Sequence, residues 1–323
     1  MVSVAIRTRP FTYSHTIGLL SLTAKGFSNP VDMALGEGGL MYVVNRSNSY
    51  QALMGAVRVT ICNIEGDYIG QFGGFGEGDG QLTWPTSIAR DSKGNLYVSD
   101  EHRHDVQVFD KDGNFLRKWG SFGASPGQLN RPSGLAVDHD DTVLVVDHMN
   151  NRIQRCTSDG KPVAAWGSAG SGPGEFNLPW GIGVDSQSNV YVADWRNDRI
   201  QSFSRDGAYI RSFGEGQLKR PANVSLDAEG NVYVADWGND RVAVLTPEGY
   251  PLTTLIGDAD VSRWGAEYLS ANTELTEGRK IMADGTPEKR FWGPTAVEVD
   301  DQGHVFVIDS CRHRVQIYNR SGE

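Results

Sequence analysis

Cysteine is scarce. The chain has three in 323 residues, Cys62, Cys156 and Cys311. They are too few and too scattered for a disulfide framework or a paired-cysteine zinc site. Long apolar runs are missing as well. No stretch approaches the roughly 18 uninterrupted apolar residues of a membrane helix, and the opening MVSVAIRTRPF lacks the apolar core of a secretory signal. Cytoplasmic residence is the default expectation, with no membrane partner. Basic residues are outnumbered, 30 Lys and Arg against 40 Asp and Glu, for a net charge of -10. Such a chain repels phosphate backbones, so no nucleic-acid partner is expected. There is no Gly-rich phosphate loop, no Gly-x-Ser-x-Gly and no HExxH.

Glycine and turn chemistry are abundant, with 39 glycines and 13 prolines, and the chain repeats itself. PSGLAVDHDDTVLVVDHMNNRIQRC from Pro132 matches PWGIGVDSQSNVYVADWRNDRIQSF from Pro179 and PANVSLDAEGNVYVADWGNDRVAVL from Pro221. Pro85 and Pro294 begin further copies, and a weaker one starts at Pro30 and resumes near Val57. The intervals of 55, 47, 47, 42 and 73 residues between these prolines suit a four-stranded blade. Each copy reads as strand, Asp/Gly turn, strand ending in Asp, polar loop, strand, Asp-Gly turn and final strand.

The expected fold is all-β: one domain over 1–323, a six-bladed propeller with four-stranded antiparallel blades. The last copy stops without a fourth strand, and FTYSHTIGLL near the N-terminus supplies it. Ring closure by that strand removes a free sheet edge. An insertion at 258–291 separates the last two copies. Its stretch Asp260 to Leu275 has helical character, with Trp264, Tyr268 and Leu269 on one face. It is either a lid over the open face or a surface-packed excursion.

The strings GQLNRPSGLAVD and YVADWGNDRVAV resemble the NHL repeat over nearly the whole chain. The resemblance implies the propeller fold and leaves function open. The family includes the lyase that releases peptide amides from peptidyl-hydroxyglycine, along with RNA-binding and ubiquitin-ligase propellers. In that lyase, zinc is held by histidines directly after the blade prolines. Those places here hold Val31, Thr86, Ser133, Trp180, Ala222 and Thr295, so its metal site is absent. Arg46 resembles the lyase's substrate-facing arginine. More distant gluconolactonase-type propellers use Glu, Asn and Asp around calcium. Asp32, Glu101 and Asn223 are the same residue types in unmatched registers, so no metal site is expected. The sequence identifies no cofactor.

In such a propeller, the loop before each first strand and the loop between second and third strands share one open face. The last residue of the second strand is Asn45, Asp100, Asp147, Asp194, Asp236 or Asp309. This near-constancy points to a structural cap, with Arg152, Arg199, Arg241 and Arg314 as partners. The next residue varies: Arg46, Glu101, His148, Trp195, Trp237 and Ser310. Mixed chemistry at one repeated position suits a pocket.

Arg46, Glu101, His148 and His102 are the candidate catalytic residues. His102 and His148, in neighbouring blades, suit general acid–base work. Trp180, Trp195, Trp237 and Trp84 with Arg131, Arg220, Asp32 and Asn223 are the candidate ligand-binding residues. Trp180, Trp195 and Trp237, from adjacent blades, suit an apolar wall. Arginines suit an anion, whereas Asp32 and Glu101 beside tryptophans suit a cation.

Two functions remain open at this stage. One is a small-molecule lyase or hydrolase working in the central funnel. The other is a non-catalytic propeller that binds a protein or peptide there. The sequence does not decide whether the chain is an enzyme.

Overall fold

Each proline-started copy folds as a four-stranded antiparallel sheet. The computed structural model describes residues 10–46, 56–272, 274 and 286–321. Blade two is typical, with strands Pro85–Arg90, Leu96–Asp100, Asp105–Phe109 and Phe115–Trp119 in sequential order. Blade one begins at Pro30–Leu35, blade three at Pro132–Val137, blade four at Ile182–Val184, blade five at Pro221–Leu226 and blade six at Pro294–Val299. Among the described residues the one helix longer than a turn is Arg263–Ser270.

The burial pattern explains the strand sequences. Second strands such as Val143–Asp147 and Val232–Asp236 are buried throughout, because neighbouring blades cover both faces. They therefore read as near-continuous apolar runs. Fourth strands such as Phe115–Trp119 alternate between half-buried and exposed residues until the buried Trp119 at the end, as expected at an outer edge.

Six apolar clusters each join one blade to the next. Val59, Leu82 and Val98 lie between blades one and two. Met33, Met41, Phe306 and Ile308 lie between blades six and one, so the core runs around the full ring. The N-terminal strand Phe11–Ile17 pairs antiparallel with Arg314–Arg320, placing Phe11 opposite Arg320 and Ile17 opposite Val315. It is the fourth strand of blade six and closes the ring.

First strands line the axis. Blades three to five approach so closely that a Cβ on Gly181 would lie 2.5 Å from the Ala222 carbonyl oxygen. Only glycine fits there.

The expected helix at Asp260 to Leu275 is shorter, Arg263–Ser270, because Ser262 caps its start by accepting from the Gly265 N–H. It is fixed to the outer rim between blades six and one. Trp264 is buried against Phe27 at 5.5 Å and donates to the Gly66 carbonyl at 2.7 Å. Tyr268 stays exposed. The part of the proposed lid at 273 and 275–285, including Leu275, lies outside the described residues.

Candidate functional site on the open face

The second strand of every blade ends in a buried side chain that organises the open face. Asp147 Oδ1 accepts from the Asn130 N–H at 2.7 Å, and Asp194, Asp236 and Asp309 bind Asn177, Lys219 and Trp292 in the same way. Each of these four aspartates also pairs with the expected arginine: Arg152, Arg199, Arg241 and Arg314, at 2.6 to 3.0 Å. Blade one has neutral Asn45 at this place. Its Arg58 turns to the Ser21 and Gly26 carbonyls. Blade two keeps Asp100 but has Asp105 in the arginine's place, and Arg103 pairs with Asp105 at 3.2 Å.

A second set of bonds links successive blades. Residues just before the blade prolines adopt left-handed backbone, including Asn29, Arg131, Leu178 and Arg220. Their N–H groups are taken by the preceding blade: Arg131 by His104 Nδ1, Leu178 by Asn151, Arg220 by Asp198, Gly293 by Asp240 and Asn29 by His313 Nδ1. His104 and His313 therefore act as acceptors that lock loops. Burial holds both below the usual histidine range, and the Arg131 charge adds to the effect at His104.

On this frame the variable residues converge. Arg46 Nη2 donates to Glu101 Oε2 at 2.7 Å, and Arg131 approaches Glu101 Oε1 at 3.4 Å. Arg46 also stacks over Trp84 at 4.8 Å. His148 is buried, and its Nδ1 lies 2.9 Å from the Pro179 carbonyl. A carbonyl only accepts, so Nδ1 carries the proton. The other nitrogen, Nε2, has no hydrogen-bond partner among the described residues. Burial pushes the His148 pKa down, against the opposing pull of the Pro179 bond and the Glu101 charge. The net effect favours the neutral ring, with the proton on Nδ1 and Nε2 bare.

From His148 an aromatic wall runs outward. Trp180 lies edge-on to His148 at 5.0 Å, and Trp195 is 6.3 Å from Trp180. Arg220 lies over both Trp195 and Trp237, at 5.5 and 5.9 Å. Arg196 covers Trp195 at 4.8 Å.

Three candidates sit elsewhere. His102 is exposed at the rim, edge-on to Trp84 at 6.2 Å, and makes no pair with His148. Asp32 and Asn223 lie deeper, in the axial wall. Asp32 accepts from Ser87 Oγ and the Ile88 N–H, and Asn223 from the Val297 N–H, each bridging to the next blade. The hydroxyl of Ser133, directly after its proline, bridges likewise to the Trp180 carbonyl at 2.8 Å.

Sequence reasoning missed Glu298. It lines an axial cavity of about 320 Å³, with Arg90 and Ser225, at the end away from His148. Burial and the Asp32 charge push its pKa up to about 8, and burial takes Asp32 to about 6. Its signal was present in the repeat: the same register elsewhere holds Ala34, Ala89, Ala136, Gly183 and Ser225. Among the described residues, no three His, Cys, Asp or Glu side chains cluster as a metal site. No helix there is long and apolar enough to cross a membrane.

Comparison with known proteins agrees with this architecture. The NHL repeat family matches residues 176–203 and 291–318, and a family described as a 6-bladed beta-propeller matches 79–155. No curated protein matches the sequence. Virginiamycin B lyase from Staphylococcus aureus is a similar solved structure, with TM-score 0.60 and 13% identity over 96% of this chain and 99% of the other. A streptogramin B lyase gives 0.59 and 11% over 96% and 98%. A protein of unknown function from Bacteroides thetaiotaomicron gives 0.61 and 19% over 94% and 72%. At these identities the likeness is one of fold. The chain is thus a six-bladed β-propeller of four-stranded blades that carries NHL repeats.

Proposed function

We propose that the protein is a small-molecule lyase, with hydrolysis as the variant chemistry, acting on the open face of the propeller. The observation that carries this is the state of His148. Its Nδ1–H is committed to Pro179, so Nε2 is a neutral, unpartnered base in a wall of arginine and tryptophan. A general base works best when its pKa lies near the working pH, where it is available unprotonated and still basic enough to take a proton.

In an elimination, Nε2 takes a proton from the carbon beside a carbonyl. The C–H electron pair forms a carbon–carbon double bond as the bond from the next carbon to the leaving oxygen breaks; the oxygen takes that bonding pair and collects the proton from Nε2. The charge that builds on the carbonyl oxygen needs nearby donors. Arg46 and Arg131 supply them, and Glu101 between them fixes their geometry. Glu101 is already shared by two guanidiniums, which suits a positioning role. His102 at the rim suits contact with the outer part of a ligand.

The similarity to virginiamycin B lyase supports this function in kind. One solved form of that enzyme is catalytically inactive through a single histidine-to-alanine change. The test is turnover of a panel of lactones and β-substituted carbonyl compounds by wild type and His148→Ala. A lyase using His148 loses about a hundredfold or more in kcat. Turnover that persists unchanged in His148→Ala contradicts it. Absence of turnover across the panel, together with peptide binding lost in Trp195→Ala, favours the non-catalytic alternative.

A further inference from the structure

We infer, resting on the small-molecule function above, that the ligand carries an anionic group on a flat apolar body, held by Arg196 and Arg220 against Trp195 and Trp237. The sequence left both an anion and a cation open, and charge pairing separates them. Of the two carboxylates that favoured a cation, Glu101 is shared by Arg46 and Arg131, and Asp32 is turned into the axial wall. Arg196 and Arg220 have no carboxylate within ion-pair distance among the described residues. Neighbouring Arg199 and Arg241 each hold a buried aspartate.

Both free guanidiniums lie against one indole, that of Trp195. Two like charges brought together repel, and a bound anion relieves the repulsion. A cationic ligand would add a third positive charge beside the same indole. Arg220 is also a fixed anchor. Its backbone sits at φ 48°, and its N–H is bonded to Asp198 Oδ1 at 2.7 Å. Little backbone ordering remains to be lost on binding. The aromatic path Trp195–Trp180–His148 then separates the charged end of the ligand from the reacting end by two indole rings.

The test is calorimetric titration of the full chain with naphthoate, naphthamide and naphthamidine, which share a flat body and differ in charge. Naphthoate binds, naphthamide binds about tenfold more weakly, and naphthamidine more weakly still. The double variant Arg196→Gln/Arg220→Gln lowers naphthoate affinity about tenfold, to the level of the amide. Arg205→Gln, which removes the partner of Asp140, leaves it unchanged. Equal binding of acid and amide, tighter binding of the amidine, no binding of any probe, or a preference that survives in the double variant overturns the inference. No turnover is measured, so an inactive protein that prefers naphthoate sinks the lyase alone, and an active one without that preference sinks the anion subsite alone.

Discussion

Glu101 Oε2 accepts from Arg46 Nη2 at 2.7 Å, across the boundary between blades one and two. Arg131 of blade three reaches the other oxygen of the same carboxylate. One side chain thus ties three blades together at the funnel wall. Replacing it by a neutral amide leaves two guanidiniums facing each other. Glu101→Gln is expected to cost about 1–3 kcal/mol, measured by urea unfolding. Arg131→Gln, removing the longer and more exposed contact, is expected to cost less than about 1 kcal/mol.

His104 and His313 give an acid-sensitive loss of stability. Both accept backbone N–H bonds, and their folded pKa values lie below the ordinary histidine value of 6.5. The unfolded chain therefore binds protons that the folded chain refuses. Their contribution is complete above pH 6.5 and is lost as pH falls through the folded values. In blade three Asn151 does the same task without titrating. His104→Asn/His313→Asn should keep the loops locked and flatten the fall in melting temperature between pH 7 and 5. An unchanged acid slope contradicts this.

Glu298 acts in the opposite direction. Its folded pKa of about 8 lies above the ordinary 4.5, so the folded state holds a proton that the unfolded state releases. Stability falls as pH rises from about 4.5 to about 8. Glu298→Gln removes that proton linkage. The variant is expected to gain roughly 2–4 kcal/mol on wild type at pH 8 and little at pH 4.5, read by denaturant unfolding at both values.

Trp264 anchors the inserted helix to the rim. Trp264→Ala removes a buried indole, its contact with Phe27 and its bond to Gly66. The expected loss is about 3–5 kcal/mol, with faster proteolysis within the insertion. Trp264→Phe keeps most of the packing and should recover more than half of the loss.

Much of the fold was legible because each repeat writes the same instructions. The Asp at the end of each second strand and the Arg five residues later recur in four copies, and the structure pairs them. The N-terminal strand was legible from the missing fourth strand of blade six. The wall from Arg46 through His148 to Trp237 was found because those residues break the repeat. Depth was not legible. Asp32 and Asn223 also vary between copies, yet they sit on the first strand, where crowding at the axis turns their oxygens to the next blade. His102 sits one residue beyond the converging position, enough to carry it to the rim. Glu298 escaped notice because it lies four residues beyond its proline, on the axial face, away from the loops that drew attention.

The protonation state of His148 tests the proposed chemistry most directly and needs no substrate. Nitrogen-15 NMR of the imidazole across pH 5 to 8 reports which nitrogen carries the proton and where the ring titrates. The expected result is a neutral ring at pH 7, protonated at Nδ1 and bare at Nε2, with a pKa below 6.5. A proton on Nε2, or an imidazolium at pH 7, contradicts the assignment of His148 as the base.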